Sequence, residues 1–121
     1  MQRILGVIAL VAAFAVSPAA QSRPVHHIDE DGVKAPVLKS EVKPLYTQSA
    51  RDRKVQGKIE LKAVVRADGT VGDDVRIVES LDADLDAEAI KAVKQWHFDA
   101  GTKDGAAVDV EVDIELTFKL K

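Results

Sequence analysis

The sequence contains no cysteine. That excludes disulfides, a thiolate nucleophile and any Cys-ligated zinc site. It is compatible with an oxidising compartment without identifying one. Aromatic residues are scarce as well, 4% of the 121 residues. There is no excess of basic charge: 17 Lys and Arg stand against 20 Asp and Glu, for a formal net charge of −3. A general nucleic-acid binder would carry a basic patch, so that class is set aside. No Gly-rich phosphate loop, no serine elbow with a positioned His and Asp, and no metal motif occurs, which leaves an enzyme without machinery. No catalytic, cofactor-binding or metal-binding residue is assigned. Low-complexity tracts and internal repeats are absent too. What remains is one small domain with one core.

The longest apolar run is short. Residues 4–16 are thirteen without a charge, preceded by Arg3 and followed by Ser17-Pro18-Ala19-Ala20-Gln21-Ser22. A positive start, a brief apolar stretch and small residues at cleavage spacing describe a secretory signal peptide over residues 1–22. The alternative is an uncleaved membrane anchor, for which even a count on to Ala20 reaches only the low edge of a span. The signal reading sends the chain out of the cytoplasm; the anchor reading ties it to the membrane it would otherwise cross. Residues 23–33, with Pro24, His26-His27 and Asp29-Glu30-Asp31-Gly32, read as a solvated linker. The domain proper is expected over 34–121.

The organising stretch is the last, residues 108–121. Val108, Val110, Val112, Ile114, Leu116, Phe118 and Leu120 alternate with polar or charged residues without a break. Period two means a β-strand with one buried and one wet face. The wet row is acidic first (Asp109, Glu111, Asp113, Glu115) and then reads Thr117, Lys119, Lys121. Upstream, Pro44 holds its predecessor extended. Thr47 is a suitable cap for a helix over 48–54, with Gly57 as its terminator. Residues 58–79 read as a hairpin turning at Asp68-Gly69, the pair that signals a two-residue type I′ loop. A second helix is expected over 82–95, capped by Asp84, with Leu85, Ala89, Ala92, Val93 and Trp96 on one stripe. Trp96-His97-Phe98 ends that helix, Trp96 and Phe98 as core anchors and His97 pointing outward. The class is α+β: a three-stranded antiparallel sheet with two helices on its apolar face.

Several pieces, taken in order, resemble the C-terminal domain family of TonB, the periplasmic energy transducer of Gram-negative bacteria. Val42-Lys43-Pro44-Leu45-Tyr46 is similar to the family's segment before the first helix. Gln56-Gly57-Lys58-Ile59 resembles its first hairpin strand, and Asp68-Gly69-Thr70-Val71 its turn. Trp96-His97-Phe98-Asp99-Ala100-Gly101 resembles the exit of its second helix. Thr47 and Ala100 stand where the family prefers proline. The family's long Pro-rich spacer and the polar histidine of its anchor have no counterpart here.

The resemblance implies a non-catalytic module that binds an extended peptide of an outer-membrane receptor, or of another envelope protein, by strand addition in support of transport. It implies partner contacts along Asp113, Glu115, Thr117 and Lys119. It implies a core that includes Tyr46, Leu85, Ala89, Trp96, Phe98, Ile114, Leu116 and Phe118. The alternative is an adaptor of the same fold without energy coupling, self-associating through the last strand as a homodimer. No nucleic acid is expected as a partner, and a membrane only if the N-terminal segment is retained.

Overall fold

A computed structural model describes residues 23–121. The expected signal peptide or anchor lies outside the described residues. In chain order the elements are β1 (Val25–His27), β2 (Val33–Lys34), β3 (Val37–Ser40), α1 (Gln48–Asp52), β4 (Gly57–Val65) and β5 (Arg76–Glu79). They continue as α2 (Ala83–Val93), β6 (His97–Asp99), β7 (Thr102–Lys103), β8 (Ala106–Ala107) and β9 (Asp109–Phe118). The main sheet has the order β1-β9-β4-β5. Its three long members are antiparallel and form the sheet expected from the sequence. Two small ribbons, β2-β7-β8 and β3-β6, flank it.

The alternation in β4 and β9 decides the packing. Gly57 lies across from Phe118 and Val65 across from Val110, with no slip between them. Cross-strand partners share a face. Ile59, Leu61, Ala63 and Val65 of β4 therefore sit with Val110, Ile114 and Phe118 of β9, all buried. Ala50 of α1 and Leu85, Ala89 and Val93 of α2 close over the same face in one cluster. The alanines let the helices approach closely, and the sheet supplies the bulk. Trp96 is 6% exposed, and its indole N–H donates to the Val42 carbonyl at 2.8 Å. That bond gives the buried ring's polar atom its partner. Phe98, Tyr46 and Leu116 are half-buried against the cluster. The Tyr46 ring meets Phe118 edge-on, 5.4 Å between centroids, and its hydroxyl donates to the Val55 carbonyl.

Several local expectations are corrected. The last strand covers ten residues rather than fourteen. Residues 23–33 are not a free tail: β1 forms there and pairs parallel with β9. The cap of α2 is Asp82, not Asp84. Asp82 is extended, and its carboxylate accepts from the amides of Asp84 and Leu85 at 3.1 and 3.3 Å. Arg53 donates to both oxygens of the same carboxylate at 2.7 and 3.3 Å and lies 3.6 Å from Asp84, which joins the end of α1 to the start of α2. The first helix stops at Asp52, with Lys54 in the left-handed region at φ 57°, before Gly57 is reached. Thr47 caps it as expected, its hydroxyl accepting from the Ala50 amide at 3.1 Å.

The hairpin turn is also different. Gly69 donates to the Arg66 carbonyl at 2.8 Å, and the Arg66 amide to the Thr70 carbonyl at 2.7 Å. Only Gly69 of the loop has positive φ, +89°. This is a three-residue loop ending in a glycine bulge, not a type I′ turn. A side chain at Gly69 would strike the Phe98 carbonyl, because β6 runs past the turn. That is the last correction: His97–Asp99 is a strand paired with β3, not a helix end.

Truncating Trp96 to alanine is expected to destabilise the fold by about 3–5 kcal/mol, as for other large buried aromatics. A loss below about 1 kcal/mol in urea unfolding would contradict its place in the core. The Arg53 guanidinium holds the Asp82 carboxyl below the usual carboxylate range. Stability from a depressed carboxyl is complete above the unfolded pKa of about 3.9 and disappears as pH falls through the lower folded value. Asp82→Asn is therefore expected to lower Tm at neutral pH, with the gap to the parent narrowing below about pH 4. A gap that stays constant down to the acid limit would contradict the pairing.

Candidate functional site

The backbone of β9 has two sides, and the hairpin shows which residues face which. The Gly72 amide donates to the Val64 carbonyl at 2.8 Å, and Arg66 pairs with Thr70. Even positions of β4 thus turn their peptide groups toward β5, and odd positions turn theirs toward β9. In the observed register, odd residues of β4 oppose even residues of β9. Even residues of β9 therefore bond to β4, and odd residues point their N–H and C=O away from it. The Leu120 amide agrees, reaching back to the Gln56 side chain at 2.9 Å.

Part of that far side is taken. Val25, His26 and His27 of β1 lie beside Asp109, Val110 and Glu111. The chain then turns off: the Glu30 amide bonds back to the His27 carbonyl at 3.0 Å. The Glu30 carboxylate accepts from the His27 amide at 2.8 Å and contacts His26 Nδ1 at 3.0 Å. The hydrogen bond from His26 is the main reason its carboxyl is held below the usual range. Among the described residues no strand pairs with β9 beyond Glu111 on this side. Asp113, Glu115 and Thr117 therefore present backbone donors and acceptors along an open edge. At about 3.3 Å per residue the stretch 112–118 is about 20 Å long.

The expected contact residues fall along this edge. Asp113, Glu115, Thr117 and Lys119 are all exposed. Their side chains point to the wet face, where the two carboxylates pair with lysines of β4. Lys62 meets Asp113 at 2.8 Å and Lys58 meets Glu115 at 3.5 Å. Arg76 reaches across to Glu111 at 3.0 Å. The row is thus largely neutralised by β4 and β5. On the opposite face the edge is apolar. Val112 and Leu116 are only half-buried, and beside them lies a groove of about 530 Å³. Ile28, Pro36 and Leu38 form its outer wall, and Trp96 and Phe98 lie at its base. Sequence reasoning missed this wall because it comes from the segment taken as a linker and from β3. Among the described residues no group of three or more His, Asp or Glu side chains is arranged to hold a metal ion. Nor is any described helix long and apolar enough to cross a membrane.

Residues 42–120 match the family model described as Gram-negative bacterial TonB protein C-terminal. The chain belongs to the TonB C-terminal domain family. Protein TonB of Vibrio cholerae serotype O1 is 30% identical over 88 residues, 73% of this chain and 36% of that protein. This chain therefore spans about a third of the length of that TonB. The solution structure of the Pseudomonas aeruginosa TonB C-terminal domain superposes with a TM-score of 0.57 at 19% identity. The match covers 78% of this chain and 93% of that one. The likeness concerns the fold, α+β with two helices, as the sequence led us to expect. The TonB family is not a family of enzymes, and the chain is placed outside enzymes on that membership.

Amide exchange tests the parity of the edge. In the native domain the amides of Asp113, Glu115 and Thr117 are expected to exchange quickly, and those of Val112, Ile114 and Leu116 slowly. Equal protection of both sets would mean that the edge is covered.

Proposed function

We propose that this chain is a TonB-type binding module of the Gram-negative envelope. It captures an extended segment of an outer-membrane receptor or transporter by adding it as a strand to the open edge of β9, in support of TonB-dependent transport. Residues 1–22 act as its secretory signal and the module works in the periplasm. The observation that carries this reading is the row of backbone groups at Asp113, Glu115 and Thr117, which no strand among the described residues pairs between the end of β1 and the end of β9. Unpaired strand groups are a template for another strand, and main-chain bonds supply affinity with little demand on side chains. Family membership supports the same reading.

A second copy of the chain is the alternative occupant, and its register is restricted. Antiparallel pairing about Glu115 sets that carboxylate against its own copy, which is destabilising, whereas pairing about Thr117 sets Glu115 opposite Lys119.

Proline tests the mechanism, because it removes an N–H and is tolerated only where that N–H has no partner in the fold. Glu115→Pro and Thr117→Pro are expected to leave circular dichroism unchanged and to abolish retention of the receptor segment in a periplasmic pull-down. Two folded variants that bind with unchanged affinity would rule strand addition out. Ile114→Pro serves as the contrast: its N–H faces β4, and it is expected to unfold the domain.

A further inference from the structure

We propose that the groove beside the open edge selects the bound segment by sequence. It takes two large apolar side chains at alternate positions, and it favours a basic residue between them. This rests on the strand-addition reading above. A strand laid along residues 112–118 places alternate side chains on opposite faces. Those on the face of Val112, Ile114 and Leu116 enter the groove, with Ile28, Pro36 and Leu38 on the far side and Trp96 beneath. The volume, about 530 Å³, lies within the range of sites that bury a ligand. Val112 to Leu116 covers about 13 Å, enough for two successive same-face side chains of a strand.

The far wall is mostly apolar, Glu41 being its one charged residue. Ile28 is 54% exposed and Leu38 41% exposed, so both have surface left to bury. The backbone row decides the kind of occupant, since a helix or a small apolar molecule would leave the peptide groups of Asp113, Glu115 and Thr117 unpaired.

On the wet face, the residue between the two apolar ones lies directly across from Asp113 or Glu115. The lysines that pair with these carboxylates come from β4, behind them. A cation on the added strand approaches from the open side and meets the carboxylates first. An anion placed there meets like charge.

The test uses the 121-residue chain and short labelled synthetic peptides, followed by fluorescence anisotropy. One peptide carries Leu-Lys-Leu at its centre, a second Ser-Lys-Ser and a third Leu-Glu-Leu. The first is expected to bind at least about tenfold more tightly than the second, since each leucine buries a full side chain. It is also expected to bind more tightly than the third, by a margin that shrinks as salt is raised. The double variant Ile28→Glu with Leu38→Glu changes two exposed side chains. It is expected to stay folded, keep its affinity for the serine peptide and lose its preference for leucine.

If the leucine and serine peptides bind equally, and Thr117→Pro abolishes both, the groove is not a selector although strand addition stands. If Thr117→Pro leaves binding intact, strand addition fails and this proposal fails with it. If no peptide binds, or if the chain sediments as a dimer that the peptides do not dissociate, the occupant is not a peptide of this kind.

Discussion

The ladder between β4 and β9 is the constraint on which the rest of the domain depends. It runs from Gly57 opposite Phe118 to Val65 opposite Val110 without a bulge. A slip of one residue would turn Ile114 and Phe118 to water and bring Asp113 and Glu115 into the core. No partner waits for those carboxylates there, so the slipped register is strongly disfavoured. With the register held, the buried face is set for both helices. Leu85, Ala89 and Val93 pack over it in one cluster with Ile59 and Leu61. The other long pairing is looser. Between β4 and β5 the register shifts at Glu60 and Leu61, and β5 covers only four residues.

The same ladder explains why one side of β9 stays open. A strand in the middle of a sheet needs a partner on each side, and among the described residues β9 has a full partner only in β4. The N-terminal segment supplies three residues and then leaves. Its departure is built in: Glu30 ties both His26 and the His27 amide, which closes a turn immediately after β1. Arg23 lies 3.9 Å from Asp109 and His27 3.9 Å from Glu111, so the strap is pinned at both ends by side chains of β9 itself. Such exposed pairs are weak singly. Both lie at the start of β9, where the strap pairs with it.

Much of this was legible in the residues. The unbroken alternation of the last stretch identified a long strand and its buried parity. The stripe from Leu85 to Trp96 identified a helix and the face it buries, and Thr47 identified a cap. The failures have physical causes. Val25-His26-His27 carries no alternation, and a three-residue strand paired in parallel to the far end of the chain leaves no local trace. Asp82 and Asp84 are both good caps by type, two residues apart, and both lie within reach of Arg53, 29 positions upstream in the chain, so residue type alone did not separate them. Asp68-Gly69 suggested the tightest turn, but Asp68 spends its carboxylate on the Thr70 amide and hydroxyl, and only Gly69 takes positive φ. The groove was invisible because its outer wall belongs to residues that look like linker and loop.

Backbone and side-chain parity together give the edge its character. In β9 the odd residues send their peptide groups outward and their charged side chains to water. The even residues send their peptide groups to β4 and their apolar side chains to the core. Pairing capacity and surface charge therefore reside in the same residues, while the apolar face along the edge is furnished by their neighbours. Affinity drawn from the odd peptide groups is nearly blind to sequence, since every residue but proline offers the same donor and acceptor. Discrimination has to come from the two faces on either side of that row. One is a neutralised acidic strip and the other a half-filled apolar groove. A change at Asp113 or Val112 can then alter which segment is preferred while the backbone ladder stays in register, because the ladder's hydrogen bonds come from peptide groups; the cost is the Lys62 pair in one case and part of a core contact in the other.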